Sequence, residues 1–504
     1  MYKFSTLLLL TFLFSSFQLN AQVQVYHQGI NQTNVNFRGA PVVLAQQDIT
    51  TSQAGKVVVR FDGSGWVDPG DRLVLAANDN PDWEVNSGNV GIEAYNSDQR
   101  ARSFSHTRTY DVGAGNHSFY AVGENWVETD GSGVASVYGS LTVKFYPNSG
   151  TMAKVTSAEI EQSGVNVRTA PTSFASLNVN APIAGTVVLN FDGSCISSPG
   201  DRIVLAANEN IAWQSNNGQC SVEAYDGDLN TTSFSHSRAY PVSAGSHTFY
   251  AVAQNYVETN GTGEIAIYGH FTAEFFPDTI GDAFSQMAPI VSTNTPMRGA
   301  PVTLSNLSFD APAAGKVVVH FNGYGIPDVG DRMVLAASDQ PDWSVNDGAV
   351  GIEAVDNDLN RISFSHTRVY DVTPGMQTIY AVAENYVETD GDGEGSVYGN
   401  LTYQYFPNTV TTDIEDLETL NLFESAVVSP NPSNGLFKVS LSGVAKRDFA
   451  VQIRDTQGRM IQQSSLAAGP NAQLELDLRH LPAGIYFLSL NDGQGMLSRK
   501  IIIE

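Results

Sequence analysis

Nine polar or aromatic residues recur in this chain at a constant offset. Arg38, Asp71, Arg72, Trp83, Glu93, His106, Arg108, Asn125 and Glu128 each reappear 130 and 260 positions later. The histidines, His106, His236 and His366, stand in a Ser-Phe-Ser-His-x-Arg-x-Tyr run. An imidazole beside Glu93 or Glu128 has the makings of a general base with an orienting carboxylate. On an extended strand, however, Phe104, His106, Arg108 and Tyr110 share one face. That placement suits a hydrogen-bonded polar ladder across a sheet. No Gly-x-Ser-x-Gly nucleophile signature accompanies the histidines. Glu93 and Glu128 could flank a glycosidic bond, but three equally equipped catalytic sites in tandem would be unusual. The chain therefore reads as non-enzymatic, with the polar set as a structural ladder.

Trp83, Trp213 and Trp343 are the candidate ligand-binding residues. They sit in the loops NDNPDW, NENIAW and SDQPDW, where a buried anchor competes with an exposed platform that stacks on a sugar ring. Three copies of a weak site would add avidity towards a repetitive surface. No His-Glu-x-x-His or Cys-x-x-Cys occurs, so zinc is not expected. Calcium is the one metal the acidic loops could hold, at Asp390–Glu394, Asn78–Trp83 or Asn96–Asp98. A Gly-x-Gly turn explains the first of these in all three copies, so no metal or other cofactor is assigned. Cys195 and Cys220, the two cysteines, replace Gly65/Gly325 and Val90/Val350 together. Their joint appearance in one copy suggests a local disulfide in an oxidising compartment.

The elements that carry these residues repeat as well. Ser103–Pro147 recurs at Ser233–Pro277 and Ser363–Pro407 without insertion. The 504-residue chain thus divides into a leader (1–21), three modules of about 130 residues (22–149, 150–279, 280–408), an acidic linker (409–425) and a C-terminal domain (426–504). In the first module, strand signals cover Pro41–Ala45, Gly55–Phe61, Arg72–Ala77, Val90–Tyr95, Arg102–Val112, His117–Gly123 and Val134–Phe145, separated by Gly, Pro, Asn and Asp clusters. That pattern predicts an all-β fold of tandem β-sandwich or jelly-roll-like modules. The short joints at Asn148–Lys154 and Asp278–Phe284 predict modules strung like beads.

Residues 1–21, with Lys3 and the apolar run Leu7–Phe14, read as a secretory signal peptide, and no later stretch predicts a transmembrane helix. The net charge of −26 is uneven: 17 Lys/Arg face 46 Asp/Glu over 22–424, and 8 face 6 thereafter. An acidic surface of that size makes nucleic acid and anionic lipid poor partners.

The last residues carry a second set of motifs: Pro430-Asn431-Pro432-x-x-Gly435, Ile453-x-Asp455-x-x-Gly458, Gly484-Ile485-Tyr486 after Leu481-Pro482-Ala483, and Lys500-Ile501-Ile502-Ile503 at the end. They resemble, in order and position, the type A C-terminal sorting domain of type IX secretion cargo in Bacteroidota. The resemblance implies a small C-terminal β-sandwich, the type IX secretion machinery as partner, and delivery outside the cell or to the outer-membrane surface. The expected function is then a secreted or cell-surface binding and adhesion protein whose modules hold a repetitive target such as polysaccharide. A structural stalk without a specific ligand is the alternative, and a polysaccharide hydrolase stands behind both.

Overall fold

A computed structural model describes residues 22–408 and 426–504. Outside it lie short stretches at 83–88, 95–99, 129–130, 150–151, 214–218, 225–230, 259–260, 279–282, 344–348, 355–359 and 389–392, and in the last segment at 442–443, 446–448, 456–458, 468, 471–472 and 492–495. The expected signal peptide and acidic linker both fall outside the described residues.

The first repeat copy forms eight strands: β1 Gln24–Asn36, β2 Val42–Thr51, β3 Gly55–Trp66, β4 Asp71–Asn78, β5 Val90–Glu93, β6 Ala101–Val112, β7 Gly115–Glu128 and β8 Val134–Pro147. They make two antiparallel four-stranded sheets, ordered β1-β8-β3-β6 and β2-β7-β4-β5. Successive strands mostly alternate between the sheets, which is jelly-roll topology. The second copy repeats this with β9 (Lys154–Asn166) to β16 (Glu264–Pro277), and the third with β17 (Phe284–Pro296) to β24 (Glu394–Pro407). Each sandwich closes over its own core; in the first copy Val57, Val59, Phe61, Leu73, Phe104 and Leu141 belong to it. The all-β sandwich fold stands as the turn spacing predicts. One strand per copy escapes that reading. β1, QVYHQGINQTNVN, is so rich in Asn and Gln that it looks like a loop, yet it pairs along β8 from Gln24 to Asn36.

The bead arrangement is corrected. The chain through Asn408 forms one compact unit, in which the copies close head to tail around a pseudo-threefold axis. The Gly91 N–H of β5 donates to Ser194 Oγ in the second copy at 3.1 Å. Glu223 of the second copy faces Arg361 of the third at 4.0 Å. The Ala101 N–H of β6 donates back to Glu353 Oε2 of the third copy at 3.3 Å. The cause lies in β3. Strand side chains alternate between faces, so Val57, Val59 and Phe61 enter the sandwich while Val58, Arg60, Asp62 and Ser64 point to the axis, and all seven are buried.

The axis is polar and asymmetric. Position 60 is Arg60, Asn190 or His320; position 62 is Asp62, Asp192 or Asn322; position 144 is Lys144, Glu274 or Gln404. Arg60 Nη2 donates to three equivalent hydroxyls, Ser105 (3.2 Å), Ser235 (3.0 Å) and Ser365 (3.4 Å). The same guanidinium lies 3.3 Å from Asp62 and 3.4 Å from Asp192. Lys144 Nζ donates to Glu274 Oε2 at 2.5 Å and to Gln404 Oε1 at 2.8 Å. Below them Val58, Val188, Val318, Tyr146, Phe276 and Phe406 form an apolar plug.

The expected disulfide is also corrected: Cys195 and Cys220 are free, fully buried thiols. Burial raises both thiol pKa values, so neither is a thiolate at neutral pH. Their pairing in sequence reflects volume instead. A Cβ on Gly65 would lie 2.4 Å from Ile92 Cδ1, and one on Gly325 equally close to Ile352. In the second copy the isoleucine is the shorter Val222, which makes room for the Cys195 side chain.

One acid-sensitive group sits where the first copy meets the third. His27 is held down to about 4 by burial first, then by Arg368 and Lys316. Its pKa in the unfolded chain is near ~6.5, so the unfolded chain takes up the proton first as pH falls. The stability this group contributes is complete above that value and drains away between about 6.5 and 4. His27→Ser, the residue of the second copy, is therefore expected to flatten the acid limb. From pH 7.5 to 5 it should lose up to about 2 kcal/mol less urea-measured stability than the parent.

The second unit is a small β domain of two main sheets. One is ordered β25 (Ala426–Ser429), β26 (Leu436–Leu441), β31 (Gln473–Asp477); the other β29 (Met460–Leu466), β28 (Phe449–Asp455), β32 (Gly484–Asn491), β33 (Met496–Ile503). The two-residue strands β27 (Val444–Ala445) and β30 (Gly469–Pro470) pair with each other. Phe437, Val439, Val451, Ile453, Leu488 and Ile501 share its core.

Candidate functional site

The recurring polar residues act largely inside each copy, and several of them on the backbone. β5 pairs with β4 only from Arg72 to Leu75, so the Ala77 N–H lies beyond its reach. His106, on the opposite sheet, supplies the acceptor: the Ala77 N–H donates to Nδ1 at 2.8 Å, with 2.9 and 2.8 Å at His236 and His366. The bond runs between sheets, where the sequence suggests a ladder along one, and it commits the nitrogen a general base would use. Arg72 and Glu93 are cross-strand partners in an ion pair, as are Arg202–Glu223 and Arg332–Glu353. Asp71 Oδ2 accepts the Gly133 N–H at 2.7 Å, and Arg38 Nη2 donates to the Gly131 carbonyl at 3.0 Å; together they fix the Gly-x-Gly turn. The side chains of Glu128, Glu258 and Glu388 lie outside the described residues.

The tryptophan loops are held from beneath. Asn78 Nδ2 donates to the Asp82 carbonyl at 2.8 Å, Asn208 Nδ2 to that of Ala212 at 2.9 Å, and Ser338 Oγ to that of Asp342 at 2.9 Å. Tyr110 donates its hydroxyl to Asn78 Oδ1 at 3.2 Å. Oxygens expected to face calcium in the first loop thus serve the loop itself. Among the described residues no three His, Cys, Asp or Glu side chains group to hold a metal. The Asn96–Asp98 loop and most of Asp390–Glu394 lie outside them.

Trp83 is outside the described residues, while Trp213 and Trp343 are half-buried. Each stands edge-on to a tyrosine of the neighbouring strand. Trp213 and Tyr256 have ring centroids 5.6 Å apart, and Trp343 and Tyr386 5.9 Å apart. These partners escape a search focused on loops, because they sit on strands, each between an asparagine and a valine. Yet Tyr256 and Tyr386 are 56% and 50% exposed, and Trp126, in the same position of the first copy, is 47% exposed. Large aromatic surface left open at one repeated position is a signal of a contact surface.

Two cavities flank Trp343. One, of about 220 Å³, is polar and lined by Ser338, Asp339, Gln340, Asp342, Arg368 and Tyr370. The other, of about 260 Å³, lies between the third and first copies and is lined by Ser64, Trp66, Tyr138, Arg332, Trp343 and Tyr386. The Arg332 guanidinium lies over the Trp66 ring at 4.2 Å. Trp213 donates its indole N–H to Gln254 Oε1 at 2.6 Å. The equivalent of Gln254 is Glu384, and the buried indole N–H of Trp343 has no acceptor among the described residues. Flat apolar faces beside loop carboxylates, amides and hydroxyls are the ingredients of a small-molecule site, and Arg332 in the second cavity is paired with Glu353.

The motif residues of the second unit converge on its last strand. Asn431 Nδ2 donates to the Lys500 carbonyl at 2.8 Å, and the Ile502 N–H donates to Asn431 Oδ1 at 2.9 Å. Pro430 and Pro432 follow cis peptide bonds on either side of that asparagine. Gly435 has φ +98°, and a Cβ there would lie 2.8 Å from Arg479 backbone. Gly484, Ile485 and Tyr486 pair with Ile503, Ile502 and Ile501. Tyr486 donates its hydroxyl to the Pro482 carbonyl at 3.0 Å, whereas Ile485 and Phe487 stay 42% and 41% exposed.

No curated protein matches the chain. Among solved structures, similarity is found to the β-glucuronidase of Ruminococcus gnavus. Its complex with D-glucaro 1,5-lactone is 11% identical with a TM-score of 0.14, and another crystal structure of the enzyme is 13% identical with the same score. The match covers 45% of this chain and 46% of the enzyme, so the chain spans less than half of that relative, and a likeness this slight carries no argument. No helix among the described residues is long and apolar enough to cross a membrane. Residues 427–504 match the secretion system C-terminal sorting domain, so the chain ends in a type IX sorting domain and is exported by that system to the cell surface or beyond.

Proposed function

We propose that the three-copy unit is a non-catalytic binding module for a repetitive extracellular polysaccharide. The observation that supports this reading is the ring exposed at one position in every copy, Trp126, Tyr256 and Tyr386, with the loop tryptophan edge-on to it in the second and third. Aromatic faces cover sugar rings at little cost in side-chain entropy, and three such faces on one rigid unit add avidity. Export by the sorting domain brings the unit to where such polymers are. The stalk reading is weakened by ring closure. Head-to-tail contacts that could propagate a filament are used up within the chain.

The test is a glycan array of neutral and acidic polysaccharides probed with the exported chain and with the combined variant Trp126→Ala, Tyr256→Ala, Tyr386→Ala. The parent should bind at least one neutral polymer. Loss of a stacking face worth ~1 kcal/mol at each of three sites should weaken binding by roughly a hundredfold. A parent that binds nothing on the array removes the reading.

A further inference from the structure

The three seams between copies are built from the same positions but are not filled alike. Where the third copy meets the second, Tyr324 stacks on Tyr398 with centroids 5.1 Å apart and an 18° interplanar angle. Where the first copy meets the third, those positions are Ser64 and Tyr138. A hydroxymethyl group stands in place of a phenol, and both residues line the 260 Å³ cavity. The end of β3 changes too: Trp66 replaces Ile196 and Ile326. Trp343 and Tyr386 close the opposite wall. One seam of the ring therefore holds a slot where its counterpart holds a tyrosine ring, and the slot's walls are aromatic residues from two copies.

We infer that this slot binds a single neutral sugar ring, stacked on Tyr138 where Tyr324 covers Tyr398. The inference rests on the polysaccharide reading above and deepens it: the unit carries one composite subsite made by ring closure, besides the exposed rings of each copy. Size argues for one ring, since the cavity falls just below the ~300–1,000 Å³ of ordinary ligand pockets. Charge argues for a neutral one. Arg332 is engaged by Glu353 and by the Trp66 face, and a chain of net charge −26 repels polyanions. The Ser64 and Tyr138 hydroxyls and the Trp343 indole N–H, buried without an acceptor among the described residues, are neutral partners suited to sugar hydroxyls. An isolated copy has only half of this site.

The exported chain would be titrated with cellohexaose, xylohexaose, mannohexaose and laminarihexaose by calorimetry and tryptophan fluorescence. The variants are Ser64→Tyr, the residue of the third copy, and Trp66→Ile, the residue of both other copies, with melting curves to verify that the fold is intact. The parent should bind at least one hexaose, and each variant should weaken it tenfold or more at unchanged melting temperature. If both variants bind as the parent does while Trp126→Ala with Tyr256→Ala abolishes binding, the slot is wrong and the polysaccharide reading stands. The same holds if the parent binds array polymers but no hexaose. If it binds neither, both fall.

Discussion

Replacing Arg60 by methionine is expected to destabilise the three-copy unit by about 3–5 kcal/mol, because the change leaves buried carboxylates without their cation. Arg60 is the cation beside Asp62 and Asp192, both 1% exposed, and it bonds one serine from each copy. Burial already pushes the Asp192 carboxyl up, with Arg60 the largest opposing influence. Urea unfolding followed by tryptophan fluorescence would measure the loss. The charge account makes a second, opposite prediction. Adding Asp62→Asn and Asp192→Asn to Arg60→Met should recover most of the stability, since no unpaired charge then remains; buried pairs replaced whole are often neutral to stability. Failure to recover would mean that Arg60 acts through shape and its serine bonds rather than through the carboxylates.

The larger effect is expected at Glu274→Lys, which places in the second copy the residue of the first. Lys144 would lose its carboxylate and face a second ammonium, and the Tyr146 hydroxyl would lose its acceptor. All these side chains are at most 4% exposed. Two unpaired charges at several kcal/mol each approach the whole ~5–15 kcal/mol stability of a folded domain. The expected result is loss of cooperative unfolding and of soluble yield. The exchange Lys144→Glu with Glu274→Lys restores opposite charges across the axis and should recover part of the loss, a coupling that a double-mutant cycle quantifies. Equal damage from the single and the exchanged variants would show that the loss does not come from the missing opposite charge. Together the two experiments ask whether the copies are interchangeable, and the residues on the axis indicate that they are not.

Much of the architecture is legible in the sequence because it is local. The alternation in Gly55–Phe61 and the Gly-Asp-Arg turns mark strands and turns through side-chain period and backbone preference, and the 130-residue register identifies the copies. The sorting domain is legible for the same reason: Asn431 and Gly435 serve backbone geometry that tolerates few replacements. β1 is not, since its fitness as a strand comes from the β8 edge it pairs with and not from its own residues. The candidate site is half legible. The loop tryptophans stand out, whereas Trp66 and Tyr138 meet Trp343 only across a seam between copies.

By itself the sequence determined that one β fold occurs three times, that each copy builds its own core, and that the chain ends in an export signal. Only the tertiary structure decided that the copies close into a ring, and the reason is physical. Many residues alike in all three copies serve contacts within a copy, such as His106 on Ala77 or Arg72 on Glu93. Around a threefold axis identical side chains meet themselves, so charged contacts there require the copies to differ, as Lys144, Glu274 and Gln404 do. The positions that hold the ring together are therefore among those that a search for what repeats sets aside.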